Sequence, residues 1–259
     1  MRAAGWIAML VMLPGWAQTV TVAPSPAGGI ELIGSQSPGF RADVEAIVGA
    51  AAMPLMEPWL PFTAVLKNNS GQTLAGYEIR WSAGNANMSI GQLSTTDPSG
   101  LKPGSMVVAL PSTLLMGPPG PQTQAGLAQS QSKWLPDFQA APAVTISVDS
   151  AIFASGQFVG PDVGRNFDKD TAQFSAWRGV DLEVQSQLAA GASFDGIASV
   201  LSQMTNQPVE GRRAARDWNA QVRATEARHL LKLYRQSGGQ ALADRIQQQL
   251  QLPVISIHR

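Results

Sequence analysis

The chain has 259 residues, 44% of them hydrophobic and only 14% charged, with 25 glycines and 18 prolines; against a usual charged share of about 25%, this argues for a packed, turn-rich interior and against a disordered polyelectrolyte. Eighteen Lys and Arg balance 18 Asp and Glu, which leaves no net field to steer the chain onto nucleic acid or an anionic membrane. The absence of cysteine removes disulfides, thiolate chemistry, Cys-ligated zinc and iron–sulfur clusters.

The chain opens with Arg2 and the apolar run Trp6-Ile7-Ala8-Met9-Leu10-Val11-Met12-Leu13, which Pro14-Gly15 breaks. Gly15-Trp16-Ala17 then sets small residues at both specificity positions of an export-signal cleavage site. The run is shorter than the roughly 20 apolar residues of a bilayer span. The expectation is a signal peptide over residues 1–17, cut near Ala17, and a mature chain that is periplasmic or secreted and lacks a transmembrane segment.

Residues 18–53 read as an extended lead-in with a short helix over 40–52, since Val44, Ile47 and Val48 share a helical face. Pro54, Pro58 and Pro61 then favour extended chain. In residues 62–67, Phe62, Ala64 and Leu66 alternate with Thr63, Val65 and Lys67, the period of a strand. Asn68-Asn69-Ser70-Gly71 is turn chemistry, and residues 74–82 resume with Tyr77, Ile79 and Trp81 on one face, so the pair reads as a hairpin. Further strands are expected over 104–110 and 143–153, the latter with Val144, Ile146, Val148 and Ile152 spaced by two. Together these predict an antiparallel β-sandwich over residues 54–160.

After Asn166 the apolar period becomes helical. Residues 167–190, 193–206, 211–235 and 240–252 read as helices, punctuated by Gly191, Pro208 and Gly238-Gly239. The expected fold class is therefore α+β, a sandwich followed by an α-helical C-terminal region over residues 161–259.

The stretch Phe62-Thr63-Ala64-Val65-Leu66-Lys67-Asn68-Asn69-Ser70-Gly71, continued by Leu74, Tyr77 and Ile79, resembles the first hairpin of exported bacterial immunoglobulin-like domains of the FxLYD type. Ser147-Val148-Asp149-Ser150-Ala151-Ile152-Phe153, followed by residues 156–162, is similar to a strand-to-helix junction of other exported bacterial proteins. The resemblance implies an immunoglobulin-like sandwich and an extracytoplasmic address. It implies no reaction, because those domains offer no catalytic residues to carry over.

Chemistry is sparse. The two histidines are His229, on the helical face of Trp218, Val222 and Thr225 and so expected in the core or at its boundary, and His258, where chains usually fray. No nucleophile elbow, Walker loop, dinucleotide fingerprint or zinc-protease helix is present. Asp162, Asn166, Asp168 and Asp170 lack the glycine and glutamate of a calcium loop, so Asp168 or Asp170 is expected to cap the following helix. No catalytic residue, metal site or cofactor is expected.

Two segments are candidate contact sites. Residues 111–142 are rich in Gly, Pro, Gln and Ser and read as a long loop, with Trp134 and Phe138 either folded back over a sheet edge or free as an aromatic anchor for a protein or glycan. In residues 211–235, Arg212, Arg216 and Arg223 form one stripe of a helical wheel, a basic one, and Ala215, Trp218, Val222, His229 and Leu233 form another. The functional expectation is a non-enzymatic binding or structural module; the alternative is an enzyme or enzyme accessory acting on envelope or extracellular polysaccharide, its acids united only by folding.

Overall fold

A computed structural model describes residues 18–84, 86–93, 100–206, 218–251 and 257–259. The expected signal peptide, Arg212 and Arg216 lie outside them. The strands are β1 (Thr19–Val22), β2 (Ile30–Gly34), β3 (Ala64–Asn68), β4 (Leu74–Ala83), β5 (Ala86–Leu93), β6 (Met106–Leu110), β7 (Thr113–Leu115), β8 (Ala143–Phe153) and β9 (Phe158–Val159). The helices are α1 (Phe40–Val48), α2 (Met53–Met56), α3 (Pro121–Ala140), α4 (Asn166–Ala189), α5 (Phe194–Thr205) and α6 (Trp218–Gln251). The chain is thus mixed α and β.

Two sheets share one core. The first has the order β1-β8-β4-β5, with β9 added to β8, and the second β2-β3-β6-β7. All pairings are antiparallel except β1 on β8. Ile79, Trp81, Ile146 and Val148 of the first sheet and Leu66, Val107, Val108 and Leu110 of the second belong to the same buried cluster.

The expected hairpin does not form. β3 pairs with β2 and β6, whereas β4 pairs with β5 and β8, so residues 69–73 carry the chain from one sheet to the other. The reason is burial. Ala64, Val65 and Leu66 are all inaccessible, with α1 packed on β3 and β6, and a strand covered on both faces suits the middle of a sheet. Asn68 fixes the crossing: its Nδ2 donates to the carbonyls of Gln72 and Leu101 at 2.8 Å each, and its Oδ1 accepts from the Ser70 N–H at 3.0 Å.

Residues 121–140 are helix α3, not a loop. Pro121 occupies the first turn, where its missing N–H costs nothing. Leu127, Leu135 and Phe138 are buried on one face, against α2 and the 3-10 turn Glu57–Phe62. The glutamines, the serines and Gly126 of residues 121–140 lie on a helix anchored by three apolar side chains.

The C-terminal helices form a second core from Val180, Val184, Ile197, Leu201, Leu230, Leu242 and Ile246. Ser193 begins α5 by accepting the Gly196 N–H at 3.2 Å. Helix α6 is broken at Gly238, which has φ 83°, a conformation that costs a side chain dearly. At Gly239 an added Cβ would lie 2.3 Å from the Phe194 ring, so the break brings α6 hard against α5. His229 departs from the boundary expectation: Ala227, Leu230 and Leu231 form the buried stripe, and the His229 side chain is 59% exposed.

Candidate functional site

A cluster of interacting polar side chains lies where sheet and helices join. Asp149 sits in β8, and its side chain is only 1% exposed. Its Oδ1 accepts the Val163 N–H at 3.0 Å; its Oδ2 accepts the Gly164 N–H at 2.9 Å, Asn166 Nδ2 at 3.0 Å and Arg80 Nη2 of β4 at 3.4 Å. A buried carboxylate is tolerable only when so surrounded by donors. Asn166 also donates to Ser150 Oγ at 3.3 Å. One carboxylate therefore binds β4, β8, the connecting loop and the first residue of α4.

Asp162 completes the joint. Its Oδ1 accepts the N–H groups of Asn166 at 2.5 Å and Phe167 at 3.1 Å, and its Oδ2 meets Arg259 Nη2 at 2.7 Å. Asp162, rather than Asp168 or Asp170, caps α4. The chain turns back at two left-handed residues, Asp162 with φ 56° and Arg165 with φ 57°, so the Asp162 side chain reaches the helix start across the turn. Asp168 is exposed beside Arg165. Asp170 is buried instead, and desolvation, with Glu78 and Asp162 adding to it against Lys169, pushes its carboxyl up to about 7.

Residues 257–259 lie against this joint. His258 is held rather than frayed: the Phe158 N–H donates to the His258 carbonyl at 2.7 Å, and the His258 N–H to the Gly156 carbonyl at 2.9 Å. Ile257 packs on Ala75, Ile152 and Phe158, together with Phe167. The Arg259 guanidinium stands 4.7 Å from the Phe167 ring centre and 5.9 Å from that of Phe158, the two rings meeting edge to face at 5.2 Å.

Of the residues expected to make contacts, the three described ones, Trp134, Phe138 and Arg223, do not converge. Phe138 is 1% exposed and its ring centre lies 5.4 Å from that of Phe62, so it packs the core. Trp134 is half-buried against the same core, with the Lys133 ammonium 4.4 Å above its ring. Arg223 belongs to the helical layer, where its Nη2 meets Glu183 Oε2 at 2.7 Å.

A second titratable group lies in that layer. Asp181 of α4 is buried, and its Oδ1 has no hydrogen-bond partner among the described residues. Desolvation and then Glu226 raise its carboxyl to about 7, against Arg245 and Arg178. Burial likewise raises Glu226, opposed by His229, whose Nδ1 is 3.8 Å from Glu226 Oε2. Among the described residues, no group of three or more histidines and carboxylates could hold a metal ion, and no helix is long and apolar enough to cross a membrane.

Neither Asp149 nor Arg259 stands out in the sequence as a site residue. A signal for the first was present: Asp149-Ser150 sets two adjacent polar residues in a strand whose other residues are mostly Val, Ile and Ala, and a polar pair there demands partners. Nothing in the order of residues links Arg259 to Asp162, 97 positions away. No family model, curated protein or solved structure matches the chain.

Proposed function

We propose that the chain is an exported, non-enzymatic binding or structural module of the periplasm or cell exterior, built on an immunoglobulin-like sandwich of the FxLYD type. The observation that carries this reading is the use made of Asp149 and Asp162. Between them they accept four backbone N–H groups, two guanidinium contacts and one amide, which is the chemistry of a rigid joint between a two-sheet body and a helical one. The two sheets' common core and the signal-like residues 1–17 support the same reading.

The test is to cross-link the mature chain in envelope extract, identify the retained molecule, and titrate it in purified form. Saturable binding with no change in the molecule bound is expected. A second reading, an enzyme or accessory on envelope or extracellular polysaccharide, draws on Asp170, whose carboxyl holds its proton to about pH 7 beside Glu78 and Asp162 as a general acid would. New reducing ends released by the wild type and abolished by Asp170→Asn would overturn the module reading.

A further inference from the structure

We propose that the helical layer carries a proton-operated latch: Asp181 of α4 and Glu226 of α6 share the seam between the two helices, holding it shut while Asp181 is protonated and opening it once both carboxyls are ionised. The latch works the same whether the chain is a binding module or an enzyme.

Asp149 and Asp181 are both buried, but their surroundings are opposite. Asp149 is met by two backbone N–H groups, an amide and a guanidinium, the donors that a buried carboxylate requires. Asp181 is 6% exposed, and its Oδ1 has no hydrogen-bond partner among the described residues. With an oxygen stranded in this way, the ion is the costly form and the neutral acid the tolerable one.

The packing of α6 brings a second acid to the same seam. Gly179 lies so close to α6 that an added Cβ would stand 3.1 Å from Arg223 Nη1, and Arg223 Nη2 meets Glu183 Oε2 at 2.7 Å; these contacts fix the register of the two helices. One turn along α6 from Arg223, Glu226 has a side chain 14% exposed, and its charge opposes the ionisation of Asp181. Arg245 acts on both acids from beyond the break in α6. On one straight helix residues 226 and 245 would lie about 28 Å apart, so the break at Gly238 is what lets both reach Asp181. Arg178, Arg245 and His229, whose Nδ1 is 3.8 Å from Glu226 Oε2, favour the ions, but burial outweighs them at both acids. Asp195 of α5 is taken up by the Tyr234 hydroxyl at 2.7 Å.

Docked, Asp181 holds its proton up to about 7, against an ordinary 3.8. Parted from α6 it meets water and gives the proton up. Opening therefore releases a proton between those values and grows easier as pH climbs, by up to about tenfold per unit. The sheets need not follow. Val180, Val184, Leu230 and Leu231 belong to a helical core that shares no residue with the core between the sheets, so the first can open while the second stays closed.

The test is amide hydrogen exchange read by mass spectrometry at pH 5 and pH 7.5, corrected for the intrinsic exchange rate. Protection of residues 178–189 and 222–231 should fall at least about tenfold from the lower pH to the higher, while that of residues 64–68 and 144–152 stays constant. Asp181→Asn should hold the seam shut at both values, since the amide cannot ionise, and Glu226→Gln should shrink the difference. Val184→Ala, which loosens the same seam without touching a charge, should lower protection equally at both values, and so separates a titrating acid from a packing residue. No difference in wild type, or a difference that survives Asp181→Asn, would overturn the proposal. So would a loss spread evenly over helices and strands, by showing that the proton acts on the whole fold. Should Asp181→Asn fail to fold, Glu226→Gln decides, and an undiminished difference there overturns the latch.

Discussion

The indole N–H of Trp81, fully buried in β4, donates to the Phe62 carbonyl at 2.7 Å, and so ties one sheet to the turn that leads into the other. Phe62 in turn rests on Phe138 of α3, which places three layers on one contact chain. Trp81→Phe keeps an aromatic ring but orphans the carbonyl and leaves a small void. A loss of about 2–4 kcal/mol in urea unfolding is expected. A loss under about 0.5 kcal/mol would show that the bond adds nothing to the joining of the sheets.

Phe138 and Trp134 separate a packing role from a contact role. Phe138→Ala should cost about 3–5 kcal/mol, as for other fully buried aromatics, and Trp134→Ala about half as much, because that side chain is only half-buried. Chemical denaturation of the two variants checks the order. A Trp134 variant as unstable as the Phe138 variant would contradict the placement of α3.

Much of the local structure was legible, because it is written in side-chain period. Residues 143–153 were read as β8 to the residue, and α4 and α5 were located within a residue or two, since apolar positions repeat every two or every three to four. The break at Gly238 followed from its pairing with Gly239. What period does not carry is pairing. The alternation at Phe62–Lys67 cannot say that β3 joins β2 and β6, because Ala64, Val65 and Leu66 are buried by elements distant in sequence. Helix α3 escaped because its Gly, Pro, Gln and Ser content has weak helical propensity, and tertiary burial of Leu127, Leu135 and Phe138 overrides it. The site was hidden for the same reason: Asp149 becomes meaningful only when Arg80 and Asn166 arrive from either side of it in the chain.

Asp149 gives the sharpest stability prediction at the joint. Asp149→Ala removes the acceptor for two backbone N–H groups, an amide and the Arg80 guanidinium, stranding buried donors. Breaking such a buried network by removing one partner costs about 3–5 kcal/mol. Asp149→Asn keeps one acceptor oxygen and should recover part of that. Thermal unfolding of the pair is the measurement, and equal melting temperatures for wild type and Asp149→Ala would remove Asp149 from the joint.

Stability should fall as pH rises from about 4 to about 7, against the habit of proteins whose carboxylates are ion-paired. Asp170 and Asp181 hold their protons to about 7 in the folded chain, against an ordinary 3.8. Between those values the unfolded chain has released protons that the folded chain still binds. Folding is therefore coupled to proton uptake, and the unfolding free energy drops by about 1.4 kcal/mol per pH unit for each group. The proton-linked stability is whole below about 4, lost progressively through the window, and gone above 7; Glu226, also raised by burial, acts in the same sense. Urea unfolding at pH 5 and pH 8 should find the chain more stable at pH 5. Asp181→Asn should remove about one proton from the slope and Asp170→Asn another, because the amide is neutral at every pH. A chain that gains stability across this interval, or a slope untouched by both substitutions, would mean that the two carboxyls are hydrated and ionised in the folded protein.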